Sequence, residues 1–261
     1  MEARAHRMSR DELVALLEGH IIDGTLPSGT ALPGERKLSE QFSVSRSAIR
    51  EALSVLTERR LISVEQGRGA FVRESDPADA AAVLTDVLRR ERVTARDVIV
   101  GRRLVECETA FLAANAHTAH DLAVMENALA QLRDDDALLD RVKADLAFHL
   151  ALARAAHNPV LEAMFGAITG LTAELMLRSL SDREVSTAGL PQHRDILDAV
   201  RAGDGESARA HMAGHLDVAM THYGPDLDQW LDTVAERRLS RLVGTRQTLE
   251  DVFRLADRAR R

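Results

Sequence analysis

The segment from Leu26 to Val72 restricts the fold of this chain more than any other stretch. It reads LPSGTALPGERKLSEQFSVSRSAIREALSVLTERRLISVEQGRGAFV. Turn-forming residues at its start precede two short runs with helical spacing of apolar residues, and a tight corner at Ser43-Val44 separates these runs. Two short apolar runs then flank the sequence from Glu65 to Gly69, which is typical of a β-hairpin. We therefore predict a helix-turn-helix followed by a small wing.

The helices of this region carry their own start signals. Ser9 and Glu12 have the spacing of a capping box, and Ser45 is positioned to cap the last helix of the motif. Apolar residues then recur at helical spacing, which predicts two buried stripes. These are Leu13, Leu16, Leu17 and Ile21 in the first helix, and Ile49, Leu53 and Leu56 in the last.

The first turn of the last helix is polar and basic, with Ser45, Arg46, Ser47 and Arg50. A recognition helix enters the major groove by its N-terminal end, where arginine can grip guanine through two hydrogen bonds. Arg68 in the wing tip suits the minor groove or a phosphate. These residues predict binding to double-stranded DNA. The alternative is a winged helix used for protein contacts, with its arginines solvated.

Charge and composition restrict the class of protein to which this chain can belong. The net charge is −7, yet residues 1–75 contain equal numbers of basic and acidic residues, so the remainder carries the whole excess. Glu35 and Glu51 are expected to pair with neighbouring arginines.

The single cysteine, Cys107, excludes an internal disulfide and suits a reducing compartment. With no run of about 18 apolar residues and no apolar leader, we expect a soluble cytoplasmic protein that does not contact a membrane.

Beyond Asp76-Pro77, helical periodicity dominates and predicts an all-α bundle. We predict a mostly α protein with a DNA-binding domain at 1–75, an effector domain at 76–225 and a helical extension at 226–261. The predicted helices are about 78–91, 95–116, 119–133, 136–155, 159–180, 189–202, 205–222 and 226–256. The extension has an apolar stripe expected to pack across the bundle or onto a partner subunit: Trp230, Leu231, Val234, Leu239, Leu242, Leu249, Val252, Phe253 and Leu255.

A second set of candidate residues lies in the bundle. Asp145 and His149 are four apart on one predicted helix, and His193 and His215 follow on two others. Three imidazoles and a carboxylate suit a divalent metal ion, with zinc the first choice and nickel or manganese as alternatives. From spacing alone, each of these histidines can equally be an ordinary polar residue, and His211 shares a face with His215.

Both halves resemble known families. The Leu26–Val72 segment is similar to the winged helix of GntR-family transcriptional regulators, although members commonly carry threonine where this chain has Ala48. VIVGRRLVECETAFLAA, DLAFHLALARAAHNPVL, PQHRDILDAVRAGD and ARAHMAGHL resemble helices of the FCD ligand-binding domain. The resemblance implies DNA contacts by Arg36, Ser45, Arg46, Ser47, Arg50, Gln66 and Gly67, and metal ligation by Asp145, His149, His193 and His215. It also argues against a long-chain acyl-CoA effector.

The resemblance implies a ligand-responsive regulator rather than an enzyme: a homodimer that binds a palindromic operator and represses a catabolic or uptake operon. A small organic acid would bind at the metal, and the candidate effector contacts are Arg102, Glu106, Asn158 and Arg178. Arg102 either grips that carboxylate or forms a structural pair with Glu106. In the alternatives, the metal is itself the signal, the metal is structural, or the bundle is a metal-dependent hydrolase with Glu106 or Glu174 as base.

Overall fold

The computed structural model describes residues 8–74, 84–85, 87–88, 90–133 and 136–243. The chain forms two compact units, Met1–Asp79 and Ala80–Arg261. The predicted fold class, a winged helix-turn-helix followed by an all-α bundle, is confirmed.

The first unit is the winged helix. Its core contains Leu13, Leu38, Ile49, Leu56 and Ile62, which the three helices and the wing bury together. Ser9 and Glu12 form the predicted capping box, and the Ser45 hydroxyl accepts from the backbone N–H of Ala48. The elements are α1 (Arg10–Ile22), α2 (Glu35–Phe42), α3 (Arg46–Glu58), β1 (Ile62–Glu65) and β2 (Gly69–Val72).

Two tight turns set the shape of this unit. Ser43 ends α2 with φ of 55°, in the left-handed region, and this residue forms the corner between α2 and α3. β1 and β2 are antiparallel, with Ile62 opposite Val72, and the turn between them uses Gly67 at φ of 78°. Glycine accepts this backbone conformation without steric cost, so the wing can turn tightly.

The second unit is a helical bundle around a large apolar core. Thr94 and Thr118 form capping boxes with Asp97 and Asp121, which explains two of the helix starts. The elements are α4 (Ala95–Ala116), α5 (Ala119–Ala130), α6 (Leu138–Ala155), α7 (Pro159–Ser179), α8 (Arg183–Arg201), α9 (Gly205–Tyr223), a 3₁₀ turn (Gly224–Asp226) and α10 (Leu231–Val243).

The predicted break before residue 191 is wrong. α8 begins at Arg183, where the Asp182 side chain accepts from the backbone N–H of Glu184, and it continues through Pro191. Proline removes one backbone donor and normally ends a helix. Here Val185 and Ile196, one on each side of the proline, are both buried, so packing holds the two halves in one helix. His193 therefore lies inside a helix rather than at its start.

α7 is the most hydrophobic long helix among the described residues. By length and composition alone this helix could cross a membrane, since its most apolar window has a mean hydropathy of 1.5. Every residue from Leu171 to Leu180 is buried, however, and α7 packs on α4, α6 and α10. Its composition is that of a core helix.

The segment after α9 packs back onto the start of the bundle. The backbone N–H of Leu231 donates to the Val93 carbonyl over 3.0 Å, and Arg96 forms two hydrogen bonds to Asp228 over 2.6 and 2.9 Å. Leu231 and Val234 are both buried in the main core. The predicted packing across the bundle is thus confirmed for Leu231 and Val234, whereas Trp230 is 46% exposed. Leu249, Val252, Phe253 and Leu255, and the side chains of Leu239 and Leu242, lie outside the described residues.

Candidate DNA interface and metal centre

The predicted DNA contacts all lie on the surface of the winged helix. Arg46 and Arg50 project from the first turn of α3 with side chains 65% and 66% exposed. This end of the helix also offers free backbone N–H groups, which favour phosphate. The other predicted contacts are exposed as well: Arg36, Ser45, Ser47, Gln66, Gly67 and Arg68.

Glu35 lies between the two arginines of α3. Its Oε2 is 3.9 Å from Arg46 Nη2 and 3.7 Å from Arg50 Nε, so both contacts are loose. Exposed ion pairs of this length contribute little to stability. Glu35 therefore orients the two guanidinium groups without holding them firmly. Glu51 is likewise 3.9 Å from Arg10.

The wing tip presents a third basic group. Arg68 pairs with Glu65 across the turn, and its guanidinium carbon is 5.3 Å from the centre of the Phe71 ring. Gln66 and Gly67 occupy the turn between the two strands. The wing thus carries one arginine at its end, supported by an acid and an aromatic ring.

In the bundle, the candidate metal ligands converge from three helices. Asp145 and His149 lie on α6, His193 on α8 and His215 on α9. The Nε2 atoms of His149 and His193 are 3.3 Å apart, and Asp145 Oδ1 is 2.7 Å from His193 Nε2 and 3.7 Å from His149 Nε2. Ligand atoms of the three histidines all lie within 4.8 Å of one another. Tetrahedral zinc places its ligand atoms about 3.4 Å apart, which is close to the separation of the His149 and His193 nitrogens.

The other nitrogen of each ring faces an acceptor outside the cluster. His193 Nδ1 lies 2.7 Å from the Gly189 carbonyl, His215 Nδ1 lies 3.3 Å from Gln192 Oε1, and His149 Nδ1 is in contact with the Glu106 carboxylate. A proton on each Nδ1 leaves a lone pair on Nε2. Outer acceptors of this kind fix the orientation of metal-binding histidines.

Burial shapes the charges of the cluster. Burial by itself would raise the pKa of Asp145, but the His193 and His149 rings hold it well below its ordinary value. Burial also opposes ionisation of Glu106, yet Arg102 and His149 lower the pKa of this carboxyl to about 2. Burial and the neighbouring His193 and His149 rings lower the pKa of His215 well below its ordinary value. The cluster therefore combines ionised carboxylates with at least one neutral imidazole.

Arg102 and Glu106 form a buried pair along α4. Arg102 Nε donates to Glu106 Oε1 over 2.5 Å and Nη2 to Oε2 over 3.3 Å, and both side chains are 2% exposed. The predicted structural pair is therefore present. Glu106 also supports His149, so one carboxylate orients both an arginine and a candidate ligand.

A small cavity lies beside the cluster. It measures about 30 Å³, and Arg102, Asp145, His193 and His215 line it together with apolar side chains of α7, α8 and α9. Such a space holds only a few water molecules. A ligand that enters it therefore meets an arginine and the metal ligands together.

The remaining effector candidates lie elsewhere. Glu106 is behind His149, outside the lining of the cavity, and Asn158 caps α7 by accepting from the N–H groups of Val160 and Leu161. Arg178 donates through Nε to Asp226 over 2.9 Å. The geometry thus keeps Arg102 at the cavity and does not bring the other three there.

Two other residues considered in the sequence lie outside the cluster. His211 is exposed on α9, whereas His215 joins the other ligands. Glu174 is fully buried in α7 and does not line the cavity.

Three residues of this centre were not predicted from the sequence. Gly189 and Gln192 supply acceptors to two of the histidines, and Ser179 is among the residues that line the cavity. The position of Gln192 beside His193 gave no signal, because its contact is with His215 on another helix. A continuous helix places Gly189 one turn before His193.

Two family models match the chain. The model described as bacterial regulatory proteins of the gntR family matches residues 9–72, and that of the FCD domain matches residues 97–218. The first range covers the winged helix with its exposed arginines. The second contains the four candidate metal ligands.

Known proteins agree with both matches. The HTH-type transcriptional regulator LutR of Bacillus subtilis is 35% identical, over 75% of this chain and 92% of its own length. The galactonate operon transcriptional repressor of Escherichia coli is 33% identical, over 76% of this chain and 89% of its own. A solved structure of Streptococcus agalactiae GntR, 25% identical, superposes with a TM-score of 0.65 over 82% of this chain and 99% of its own. This chain therefore belongs to the GntR family of bacterial regulatory proteins with an FCD domain, and it is a DNA-binding transcriptional regulator rather than an enzyme.

Proposed function

We propose that this regulator binds a divalent metal ion, zinc in the first instance, through Asp145, His149, His193 and His215. The observation that carries this is the direction of the ring nitrogens. With Nδ1 of His193 donating to Gly189, its Nε2 lone pair faces Asp145 Oδ1 at 2.7 Å. Oδ1 is buried, and within the described part of the chain this contact does not have hydrogen-bond geometry. Two buried acceptors at that distance require a shared cation or proton between them, and a metal ion can fill this role.

The bound metal would supply a Lewis-acidic coordination position for a small organic acid. Arg102 would bind the same carboxylate through hydrogen bonds, because its guanidinium lines the cavity and is already oriented by Glu106. The names of several relatives refer to operons for galactonate or L-lactate dehydrogenase. Such operons concern small hydroxy acids, which supports an effector of this size.

On the DNA side, we propose that a homodimer in the cytoplasm binds a palindromic operator and represses a catabolic or uptake operon. Two-fold symmetry of the protein calls for two half-sites. Arg46 and Arg50 would read bases, while Arg36, Ser45, Ser47, Gln66, Gly67 and Arg68 would contact phosphates or base edges. Effector binding would change operator affinity only to the extent that the effector binds the DNA-bound and the DNA-free conformations of the regulator with different affinities.

The test combines metal and operator binding. Zinc affinity is measured by competition with a chelating dye for the wild type, His193→Ala and the control His120→Ala, which changes an exposed histidine. Loss of a ligand should lower zinc affinity about a hundredfold or more, while the control remains unchanged. Fluorescence anisotropy then follows a palindromic duplex from upstream of the gene, with and without zinc and small acids. Equal zinc affinity in His193→Ala would refute the metal site, and a failure to bind any palindrome near the gene would refute the operator.

A further inference from the structure

We propose that Gln192 allows His215 to change tautomer when the metal binds, with the ring proton on Nε2 in the metal-free protein and on Nδ1 in the metal-bound protein. The proposal rests on the proposed function, in which Asp145 and three histidines bind a divalent metal ion. Three features support it: the chemistry of the outer partner of each ring, the freedom of the Gln192 amide, and the crowding of acceptors inside the cluster.

The outer partners of His149 and His193 can only accept a hydrogen bond. His149 Nδ1 is in contact with the Glu106 carboxylate. His193 Nδ1 lies 2.7 Å from the Gly189 carbonyl. A neutral imidazole carries one proton, and a partner that can only accept holds this proton on the nitrogen that it faces. Both rings are therefore fixed as the tautomer that leaves Nε2 available to a metal.

His215 has a partner of a different kind. Its Nδ1 lies 3.3 Å from Oε1 of Gln192, and a side-chain amide has both an acceptor oxygen and a donor NH₂ group at its end. A half-turn of the amide exchanges the two groups, and the NH₂ group suits a ring without a proton on Nδ1. Within the described part of the chain the Gln192 amide forms no other hydrogen bond, and Gln192 lines the cavity. No second partner therefore fixes the orientation of this amide.

In the metal-free protein, acceptors crowd the centre of the cluster. The Nε2 atoms of His149 and His193 are 3.3 Å apart, and Asp145 Oδ1 is 2.7 Å from His193 Nε2. A ring nitrogen of His215 lies within 4.8 Å of those of the other two histidines. A further lone pair directed at these buried atoms is unfavourable, whereas an N–H group directed at them is favourable. His215 can supply this N–H group because its amide partner accommodates either tautomer.

Metal binding reverses the preference of His215. A cation at the centre attracts a lone pair from each ring, so His215 releases its Nε2 proton to solvent and takes one up on Nδ1, with no change in its charge. The Gln192 oxygen then accepts from Nδ1. This exchange costs part of the free energy of metal binding. A partner that already holds the metal-binding tautomer should therefore tighten binding.

The first measurement is zinc affinity, by competition with a chelating dye, for the full-length wild type, Gln192→Glu and Gln192→Met. The new carboxylate can only accept, so Gln192→Glu should bind zinc about tenfold more tightly. Gln192→Met is similar in size but has no amide, and it should bind zinc about tenfold more weakly or worse. The control Gln131→Glu makes the same change at an exposed residue just after α5 and should match the wild type.

The second measurement reads the tautomers directly. Long-range proton–nitrogen NMR spectra of histidine-labelled protein distinguish a protonated Nδ1 from a protonated Nε2, and each variant to alanine assigns its own ring. In the metal-free wild type, His215 should carry its proton on Nε2, while His149 and His193 carry theirs on Nδ1. Zinc should move the His215 proton to Nδ1. In metal-free Gln192→Glu this proton should already be on Nδ1.

An Nδ1 proton on His215 in the metal-free wild type, or equal zinc affinities of the wild type and Gln192→Glu, would overturn the proposal. An equal gain in Gln131→Glu would also overturn it, because net charge alone would then explain the effect. If His193→Ala loses zinc but the Gln192 variants match the wild type, the proposed function stands and the role of Gln192 fails. Zinc binding that survives in His193→Ala refutes the metal site and this proposal together.

Discussion

In the winged helix, the residues predicted to contact DNA are exposed, and the best-placed arginines make only loose contacts to Glu35. In the FCD unit, the candidate ligands Asp145, His149 and His193 are buried, and each histidine is supported from behind. The difference teaches that the predicted DNA contacts and the candidate metal site depend on the fold to different degrees. A surface contact can change without disturbing the core, whereas a buried ligand cannot lose its partner without a cost in stability.

The largest effect should come from Glu106→Gln. This change leaves Arg102 buried beside a neutral side chain, and breaking a buried ion pair in this way costs about 3–5 kcal/mol. Urea unfolding followed by far-UV circular dichroism measures the loss. The matched control is Glu108→Gln on the same helix, which breaks a partly exposed pair with Arg209 and should cost less than about 1 kcal/mol. Equal losses in the two variants would contradict the comparison.

Next is Arg50→Ala in the winged helix. The loss of a base-contacting arginine should weaken operator binding by about 1–3 kcal/mol and leave the unfolding free energy nearly unchanged. Anisotropy titrations with operator and scrambled duplexes measure the effect. Arg59→Ala, at the other end of α3, is the control and should change neither quantity by much, since Arg59 pairs with Glu18 on the surface. A drop in stability for Arg50→Ala would show that this arginine is not purely a surface contact.

Ser45 is expected to contribute both to the stability of α3 and to the DNA interface. Its hydroxyl caps α3, so Ser45→Ala should lower the unfolding free energy by about 1 kcal/mol, whereas Ser45→Gly should cost only a few tenths. Both variants remove the same hydroxyl from the DNA interface. If operator affinity falls equally in the two, the DNA contact is separate from the cap. If affinity follows stability, Ser45 acts on DNA only through the helix.

The smallest effect is expected for Glu35→Gln. Removal of one negative charge beside Arg46 and Arg50 should raise affinity for a scrambled duplex a few-fold at low salt, and the gain should fade as salt rises. Stability should stay within about 0.5 kcal/mol, since the pairs are exposed. Glu51→Gln, which faces Arg10 instead, serves as the control. Equal gains in both variants would mean that Glu35 acts through net charge and not through its two arginines.

The two units also differ in how far the sequence could predict them. The caps at Ser9 and Ser45 in the winged helix follow local rules, and the structure contains both. The extension of α8 through Pro191 could not be predicted in this way, because buried residues on both sides of the proline outweigh its local preference.

The metal centre depends on packing even more. The spacing of Asp145 and His149 places both on one helix face, and the family resemblance selected His215 over His211. The supporting roles of Gln192 and Glu106 arise only when four helices meet. No pattern within a single helix encodes such contacts.

Trp230 is the one tryptophan of the chain, and the winged helix has none. Its ring lies under the Arg92 guanidinium at 3.9 Å, and its backbone pairs with Thr94 just before α4. The tryptophan fluorescence of this chain therefore comes from a single place, where the segment after α9 meets the residues that lead into the bundle. Any effector that shifts this junction changes the emission of an unlabelled protein, and DNA can be added to the same cuvette without a second tryptophan signal.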